Sequence, residues 1–377
     1  MHSDPRTSMK RTSSRRDFLR GKSAADAVAD ALGKALPGGG PADAEKPAEE
    51  GGGYLIHVAR RAMACEFEFR FNAGQYEDAT EVALEALDLV EALEDQMSIF
   101  RETSELCHIN RSAAREPVEV EPGLFGLLQL AQRLHGETDR AFDLTSSALW
   151  EVWGFARRAG TVPSRRQLAE ARRRVGSQLV ELDVERRTVR FRREGIQLNL
   201  GSLGKGYALD RCAEKLQQAD IGDFLLHGGH SSVLARGARA TTKDSSPEDV
   251  SLGWSVGVRH PLRPDRRLAE IRLCDRALAT SGSWAQSFVH GGRRYGHILD
   301  PRSGRPAQRV LSATVVAPSA TLADALSTAF YVMGPQAALD YCRGRPEIAT
   351  LLVCPVRHSG GIEIRTAGLG DDQLTLH

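Results

Sequence analysis

The sequence predicts an α+β fold, and three observations carry that expectation. Helical and extended segments come in blocks and do not alternate as a βαβ series would. The extended segments fall mostly into antiparallel pairs joined by short turns. Cys65–Phe71, CEFEFRF, alternates strictly, which places Phe67, Phe69 and Phe71 on one buried face of a strand.

In chain order, folded structure is predicted to begin at YLIHVAR (Tyr54–Arg60) and to continue into the alternating strand. Asp78–Met97 carries apolar residues at helical spacing among strong helix formers. A second helix fits Leu124–Leu134, opened by Pro122-Gly123, and Leu179–Asp183 with Thr188–Arg193 reads as a hairpin around a charged turn. After GSLGKGY a helix runs to about Gln218. Strands follow at Phe224–Leu226, Ser232–Ala235, Gly253–Val258, Leu268–Leu273 and Ser312–Ala317. Thr321–Gly334 is a helix stopped by its glycine, and a helix at Pro335–Tyr341 and a strand at Ile348–Cys354 are expected to close the fold.

Residues 1–53 differ in kind. Arg15-Arg16-Asp17-Phe18-Leu19 resembles a twin-arginine export signal, but Asp26, Asp30 and Lys34 interrupt the segment after it and no small-residue cleavage site stands out. Export signal and basic leader both stay open, and the richness in Gly, Pro, Ala and charge argues against packed structure there. The whole chain is 377 residues, 41% hydrophobic and 26% charged, with a net charge of +1. That balance gives no electrostatic case for nucleic acid or an anionic membrane. The Arg-dense stretch Arg165–Arg193 has almost no interleaved aromatics and reads as a solvated face. The six cysteines lie far apart with no C-x-x-C or zinc spacing, so buried free thiols are expected. No apolar run approaches the ~18 residues needed to cross a bilayer.

Four stretches carry small residues and fixed polar groups with no evident structural need. NLGSLGKGYALD (Asn199–Asp210, with Leu200 between Asn199 and Gly201) is not a Walker loop. Asn199 stands where the first glycine belongs, and Gly206 follows Lys205 where a hydroxyl is needed. Its glycines still permit close approach to the backbone and Lys205 suits a phosphate, though a purely structural turn is equally open. LLHGGHSSVLARG places Gly228-Gly229 between two strands, as a bulge or as a gap for a flat ring. Ala279–Pro306 gathers His290, His297, Asp300, Arg302 and Ser303 around DPRSG, a turn by its Asp, Pro and Gly. In ADALSTA, Asp324 and Thr328 are i and i+4 on one helix face, hard oxygen ligands of the kind Mg²⁺ takes, or a capping pair.

Taken with QMSIFRETSELCHIN (Gln96–Asn110), RAFDLTSSALWEVWGF (Arg140–Phe155) and GWSVGVRHP (Gly253–Pro261), these stretches resemble, in order and character, the ApbE family of FAD:protein FMN transferases. The resemblance spans about Tyr54 to Cys354. It implies a T-fold-like α+β domain over residues 54–377, with a mostly antiparallel sheet and flanking helices. It further implies Mg²⁺-dependent cleavage of FAD across its pyrophosphate, transfer of FMN to a Thr or Ser of an acceptor protein, and release of AMP. Carried over by position, the flavin-nucleotide contacts would be Met63, Phe100, Ala141, Phe142, Asp143, Asn199, Lys205, Gly228, Gly229, His297 and Ile298. Metal would be held by Ser202, Asp324, Ser327 and Thr328, with His297 and Asp324 as the catalytic pair. Family acceptors are membrane redox-complex subunits, which favours export to the periplasm.

Several positions depart from the family pattern. Met-Gly-Thr becomes Met63-Ala64-Cys65, the tyrosine after Met-Ser becomes Phe100, and an aspartate becomes Asn199. Gly-Gly-Asp becomes Gly228-Gly229-His230, and Ser283 replaces another aspartate. Two further functions stay open on these changes: hydrolysis of FAD to FMN and AMP, and flavin binding without chemistry.

Overall fold

A computed structural model describes residues 54–240, 253–283, 286–356 and 360–377; the twin-arginine-like leader lies outside them. The chain enters as a hairpin, β1 (Leu55–Ala62) and β2 (Cys65–Asn72), whose turn puts Met63 and Ala64 at φ 49° and 60°. Helices α1 (Ala79–Met97) and α2 (Glu105–Ser112), strand β3 (Val118–Glu119) and helices α3 (Pro122–Glu137), α4 (Ser147–Val152) and α5 (Arg165–Arg172) follow. The hairpin β4 (Val180–Asp183) and β5 (Thr188–Phe191) then leads into α6 (Gly204–Gln218). Next come β6 (Phe224–Gly228), β7 (Ser232–Arg236), β8 (Trp254–His260), β9 (Arg263–Leu273) and β10 (Ala277–Gly282). Two small hairpins, β11 (Ser287–His290) with β12 (Arg293–Gly296) and β13 (Leu299–Asp300) with β14 (Arg305–Pro306), precede β15 (Ser312–Ala317). The chain finishes with α7 (Ala320–Met333), α8 (Pro335–Arg343), β16 (Ala349–Pro355), β17 (Ile362–Ala367) and β18 (Leu374–Leu376).

The main sheet has eight strands in the order β1-β2-β6-β7-β10-β15-β16-β17, and every neighbouring pair is antiparallel. Alternation along its strands builds two cores. Phe67, Phe69, Phe71, Phe224 and Leu226 face α1, α6 and α7 in the larger one. Leu225, Val233, Leu278, Val316, Leu351 and Val353 face the opposite way, onto Trp254, Val256 and Ile271 of the small β18-β9-β8 sheet. The helix α7 is buried nearly all round. That is why the polar residues it carries need a reason beyond solubility.

The structure departs from expectation at the edges. Ile348–Cys354 was expected to close the fold, yet β17 extends the main sheet beyond it and β18 completes the small one. These strands are short and half-exposed, so their apolar signal is thin. Helix α5 was also unanticipated: an Arg-rich surface segment held by the Ser164/Gln167 capping box and by burial of Leu168 and Ala171. The six cysteines are free as expected, but only Cys212, Cys342 and Cys354 are buried: Cys65 and Cys107 are half-buried and Cys274 is exposed. No described helix is long and apolar enough to cross a membrane.

Candidate active site

The site grows from the contact between α6 and α7. Gly206, in the first turn of α6, has no room for a side chain. A Cβ there would lie 2.7 Å from the Thr321 amide nitrogen and closer still to the Ala320 carbonyl. This close crossing lets the Gly206 N–H donate to Asp324 Oδ2 at 2.8 Å. Asp210, one turn further along, accepts from the amides of Ala320 (2.8 Å) and Thr321 (2.9 Å) and from the Thr321 hydroxyl, capping α7. The two helices are thus pinned in register at two points.

Asp324 is only 5% exposed. Its second oxygen, Oδ1, accepts from Ser232 Oγ at 2.6 Å, a fully buried hydroxyl on β7. One turn on, Ser327 Oγ and Thr328 Oγ1 lie 2.8 Å and 3.0 Å from Ser281 Oγ on β10, and Ser327 also donates to the Asp324 carbonyl at 2.9 Å. Four elements, α6, α7, β7 and β10, therefore converge on one carboxylate and four hydroxyls. Each Asp324 oxygen keeps a lone pair beyond its protein donor. All the donors are hard oxygens, and only one is charged. That set fits Mg²⁺ shared with an anionic ligand rather than a metal held by protein alone. The described residues contain no cluster of three His, Cys, Asp or Glu side chains able to hold a metal.

The loop before α6 is shaped by its own side chains. Asn110 donates to the Leu198 carbonyl and accepts from its amide, standing in for a strand neighbour. Asn199 Oδ1 accepts from Gly201 N at 2.9 Å, an Asx-turn that directs the chain into the helix. Ser202 is half-buried beyond it. Lys205 forms no ion pair among the described residues, and its charge bears on both Cys65 and His297. Burial pushes the Cys65 thiol up to about 11, leaving it neutral at pH 7.

His297 comes from the other side. Its Nδ1 lies 3.0 Å from the Gln286 carbonyl, so that nitrogen carries the proton and Nε2 keeps a lone pair. Burial, with the Lys205 charge adding to it, holds the imidazole below its ordinary value, so the ring is neutral at pH 7. Trp150 fixes it, donating Nε1–H to the His297 carbonyl at 3.0 Å and meeting the ring edge-on at 5.9 Å.

Other expected residues are placed differently. Gly228-Gly229 makes the β6–β7 turn: Gly229 sits at φ 64° and donates to the Glu66 carbonyl at 2.8 Å, and a Cβ there would meet Cys65. Ala141, Phe142 and Ile298 have their side chains in the core. The Asp143 carboxylate is turned inward, accepting from Thr145, Ser177 and His135. Ala141 N–H and Phe142 N–H donate to Thr138 and the Phe142 carbonyl meets His135 Nδ1, so of this segment only the Asp143 backbone is partly exposed. The segment follows two left-handed residues, Asp139 and Arg140, at φ 49° and 61°. Burial raises Asp143, but its His135 and Thr145 hydrogen bonds outweigh that and hold it below the usual carboxylate range. His135 is raised in turn, since its Asp143 contacts outweigh its own burial. Met63 is half-buried, its N–H donating to Glu94. Phe100 is 86% exposed and stands apart from the hydrogen-bonded group. Sequence reasoning missed Ser232, Ser281, Asp210 and Trp150. The available signal was a small polar residue inside an apolar strand, which periodicity averages away.

The ApbE family model matches residues 63–352. The FAD:protein FMN transferase of Vibrio cholerae is 31% identical over 300 residues, 78% of this chain and 85% of that one. That of Treponema pallidum is 31% identical over 288 residues, covering 74% and 79%. In three dimensions the chain superposes on the ApbE protein of Thermotoga maritima with a TM-score of 0.71 at 30% identity, covering 82% of this chain and 96% of that one. The flavin transferase ApbE of Vibrio cholerae gives a TM-score of 0.70 at 26% identity. The α+β class expected from sequence is the fold of these proteins.

Proposed function

The chain belongs to the ApbE family, and from that premise we propose that it transfers FMN from FAD to a Thr or Ser hydroxyl of an acceptor protein and releases AMP. The observation that carries this is the buried Asp324 carboxylate, fixed by Gly206 and Ser232 beside the Ser281–Ser327–Thr328 hydroxyls, with Lys205, which forms no ion pair among the described residues, next to Gly206 in the first turn of α6.

In the reaction the acceptor oxygen bonds to the FMN phosphorus as the pyrophosphate P–O bond breaks. AMP leaves with the bridging oxygen, and the hydroxyl proton passes to a base on the chain. The protein's part is placement and charge neutralisation, as in phosphoryl transfer generally. Lys205 meets the diphosphate charge. Ser202, Asp324, Ser327 and Thr328 would hold Mg²⁺, which supplies further neutralisation of the phosphate oxygens when bound. His297, neutral with Nε2 free, and Asp324 are the two groups that can take the proton. Phe100 offers a ring face for stacking, and of the Ala141–Asp143 segment only the Asp143 backbone is partly exposed towards a flavin. The acceptor is a subunit of a membrane redox complex, reached after export under the twin-arginine-like leader.

Incubation with FAD, Mg²⁺ and a Thr-bearing acceptor domain tests this. Flavin fluorescence that survives a denaturing gel on the acceptor supports transfer. Free FMN with AMP means hydrolysis, and intact FAD means binding alone. An Asp324→Ala protein that transferred FMN at the normal rate would remove the role given to Asp324.

A further inference from the structure

Helix α5, the β11–β12 hairpin and the DPRSG turn share one small apolar cluster. Trp153, Phe155, Leu168, Ala171 and Leu299 form it, with Phe288 and Tyr295 packed against them. Trp150, which fixes His297, belongs to its margin. Arginines dominate the outer side of α5 over this cluster, with the exposed Glu170 among them at i+4 from Arg166. Arg165, Arg166, Arg172 and Arg173 fall at i, i+1, i+7 and i+8 and therefore share one side of α5, away from buried Leu168 and Ala171. Arg293 on β12 and Arg305 on β14 are exposed on the adjoining elements.

Contacts tie these elements into one face. The Arg172 guanidinium donates to the Arg302 carbonyl at 2.6 Å, and Trp153 Nε1 donates to the Gly304 carbonyl at 2.8 Å. Arg302 itself is consumed by Asp300, with Asp139 adding to it. By contrast Arg165, Arg166, Arg172, Arg173 and Arg305 have no carboxylate partner among the described residues, and Arg293 bonds only to the neutral Gln308 amide and flanks Tyr295. Partly buried arginines elsewhere pair with carboxylates, as Arg60, Arg211 and Arg365 do, whereas exposed Arg61, Arg259, Arg263 and Arg266 have no carboxylate partner among the described residues, so what sets the α5 arginines apart is their contact with the elements that carry His297. Arg302 follows His297 by five residues, so the Arg302 carbonyl that holds Arg172 lies within about 18 Å of the His297 backbone.

We infer that this arginine face docks the flavin-accepting protein through an acidic surface next to its target hydroxyl. The inference rests on the proposed transfer reaction, which requires a macromolecule to sit at the rim of the site. FAD itself needs no such surface, because its diphosphate is met by Lys205. Arginine in place of lysine suits the partner, since its planar fork takes a carboxylate through two parallel hydrogen bonds. Like charges unneutralised at a rim steer encounter and set partner choice more than they set fold stability.

The test uses the full chain in three forms: wild type, Arg165→Glu/Arg166→Glu/Arg173→Glu, and the control Arg259→Glu/Arg263→Glu/Arg266→Glu on β8–β9. Each is titrated against a fluorescein-labelled Glu-rich peptide and its Lys-rich counterpart by anisotropy, and against vesicles of equimolar phosphatidylcholine and phosphatidylglycerol by co-sedimentation. FAD binding is followed separately by flavin fluorescence. Wild type and control should bind the Glu-rich peptide at low salt, about tenfold more weakly once salt shortens the screening length. The α5 variant should bind it at least about tenfold more weakly than wild type, with FAD binding equal in all three. Equal peptide binding by wild type and the α5 variant overturns the inference. So does equal loss in the control, no peptide binding by wild type, or vesicle binding that the α5 changes abolish without peptide binding. Should the triple Glu variant fail to fold, Arg165→Gln/Arg166→Gln/Arg173→Gln must show the same direction of effect. FAD binding without any transfer would sink the proposed function while leaving the peptide readout untouched.

Discussion

Replacing Gly206 by Ala perturbs the one contact on which the site's geometry depends. The added Cβ would sit 2.7 Å from Thr321 N, against a comfortable separation of about 3.5 Å, so α6 and α7 must part by on the order of 1 Å. Overpacking of that kind costs about 1–3 kcal/mol. Parting the helices also lengthens the 2.8 Å bond from Gly206 N to Asp324, leaving a buried carboxylate one donor short at about 1–3 kcal/mol more. Unfolding of about 300 ordered residues carries an entropy near 0.6 kcal/mol/K, so the combined loss of about 2–6 kcal/mol lowers Tm by about 3–10 °C. Transfer activity should fall by more than the stability loss explains, because Lys205 and Asp324 are displaced relative to each other. Differential scanning calorimetry and FMN transfer assayed well below Tm measure the two effects. A Gly206→Ala protein with wild-type Tm and activity would refute the claim that this crossing positions the site.

Three further outcomes are expected. Ala64→Gly should raise Tm by about 1–3 °C, because Ala64 occupies a left-handed conformation (φ 60°) that disfavours a side chain by about 1–2 kcal/mol. Phe100→Ala should leave Tm unchanged, the ring being solvent-exposed, but weaken FAD binding by about tenfold through lost stacking, measured by flavin fluorescence. His135→Gln should lower stability by about 2 kcal/mol through the hydrogen bond to charged Asp143, in a pH-dependent way. Because His135 is raised, its contribution is whole below about pH 6.5 and fades as pH climbs through the folded value. Because Asp143 is lowered, its contribution is whole above about pH 4 and fades as pH falls through the folded value. The Tm difference between wild type and variant should thus be greatest near pH 5–6 and shrink as pH rises through the raised folded value of His135.

Much of the fold was legible because strong periodicity reports one-sided burial. Phe67, Phe69 and Phe71 point inward as their alternation requires, and α1, α6 and α7 begin and end near the expected residues. The short, exposed edges β17 and β18 were not legible, since their pairing is decided by neighbours far along the chain. In the site, Lys205, His297, Asp324 and Thr328 stood out by residue type, whereas the inward turn of the Asp143 carboxylate was not legible. Its partners His135, Thr145 and Ser177 come from three separate stretches.

By itself the sequence determined the α+β class, the buried faces and the resemblance to ApbE, because each depends on local pattern or on motif order. Tertiary structure alone decided that Asp324 is gripped by Gly206 and Ser232, residues 118 and 92 positions away. It also decided that Asp210 caps a helix 110 residues downstream and that Arg172 of α5 reaches the Arg302 carbonyl in the DPRSG turn. Those juxtapositions arise from helix crossing and sheet order, which no local pattern encodes.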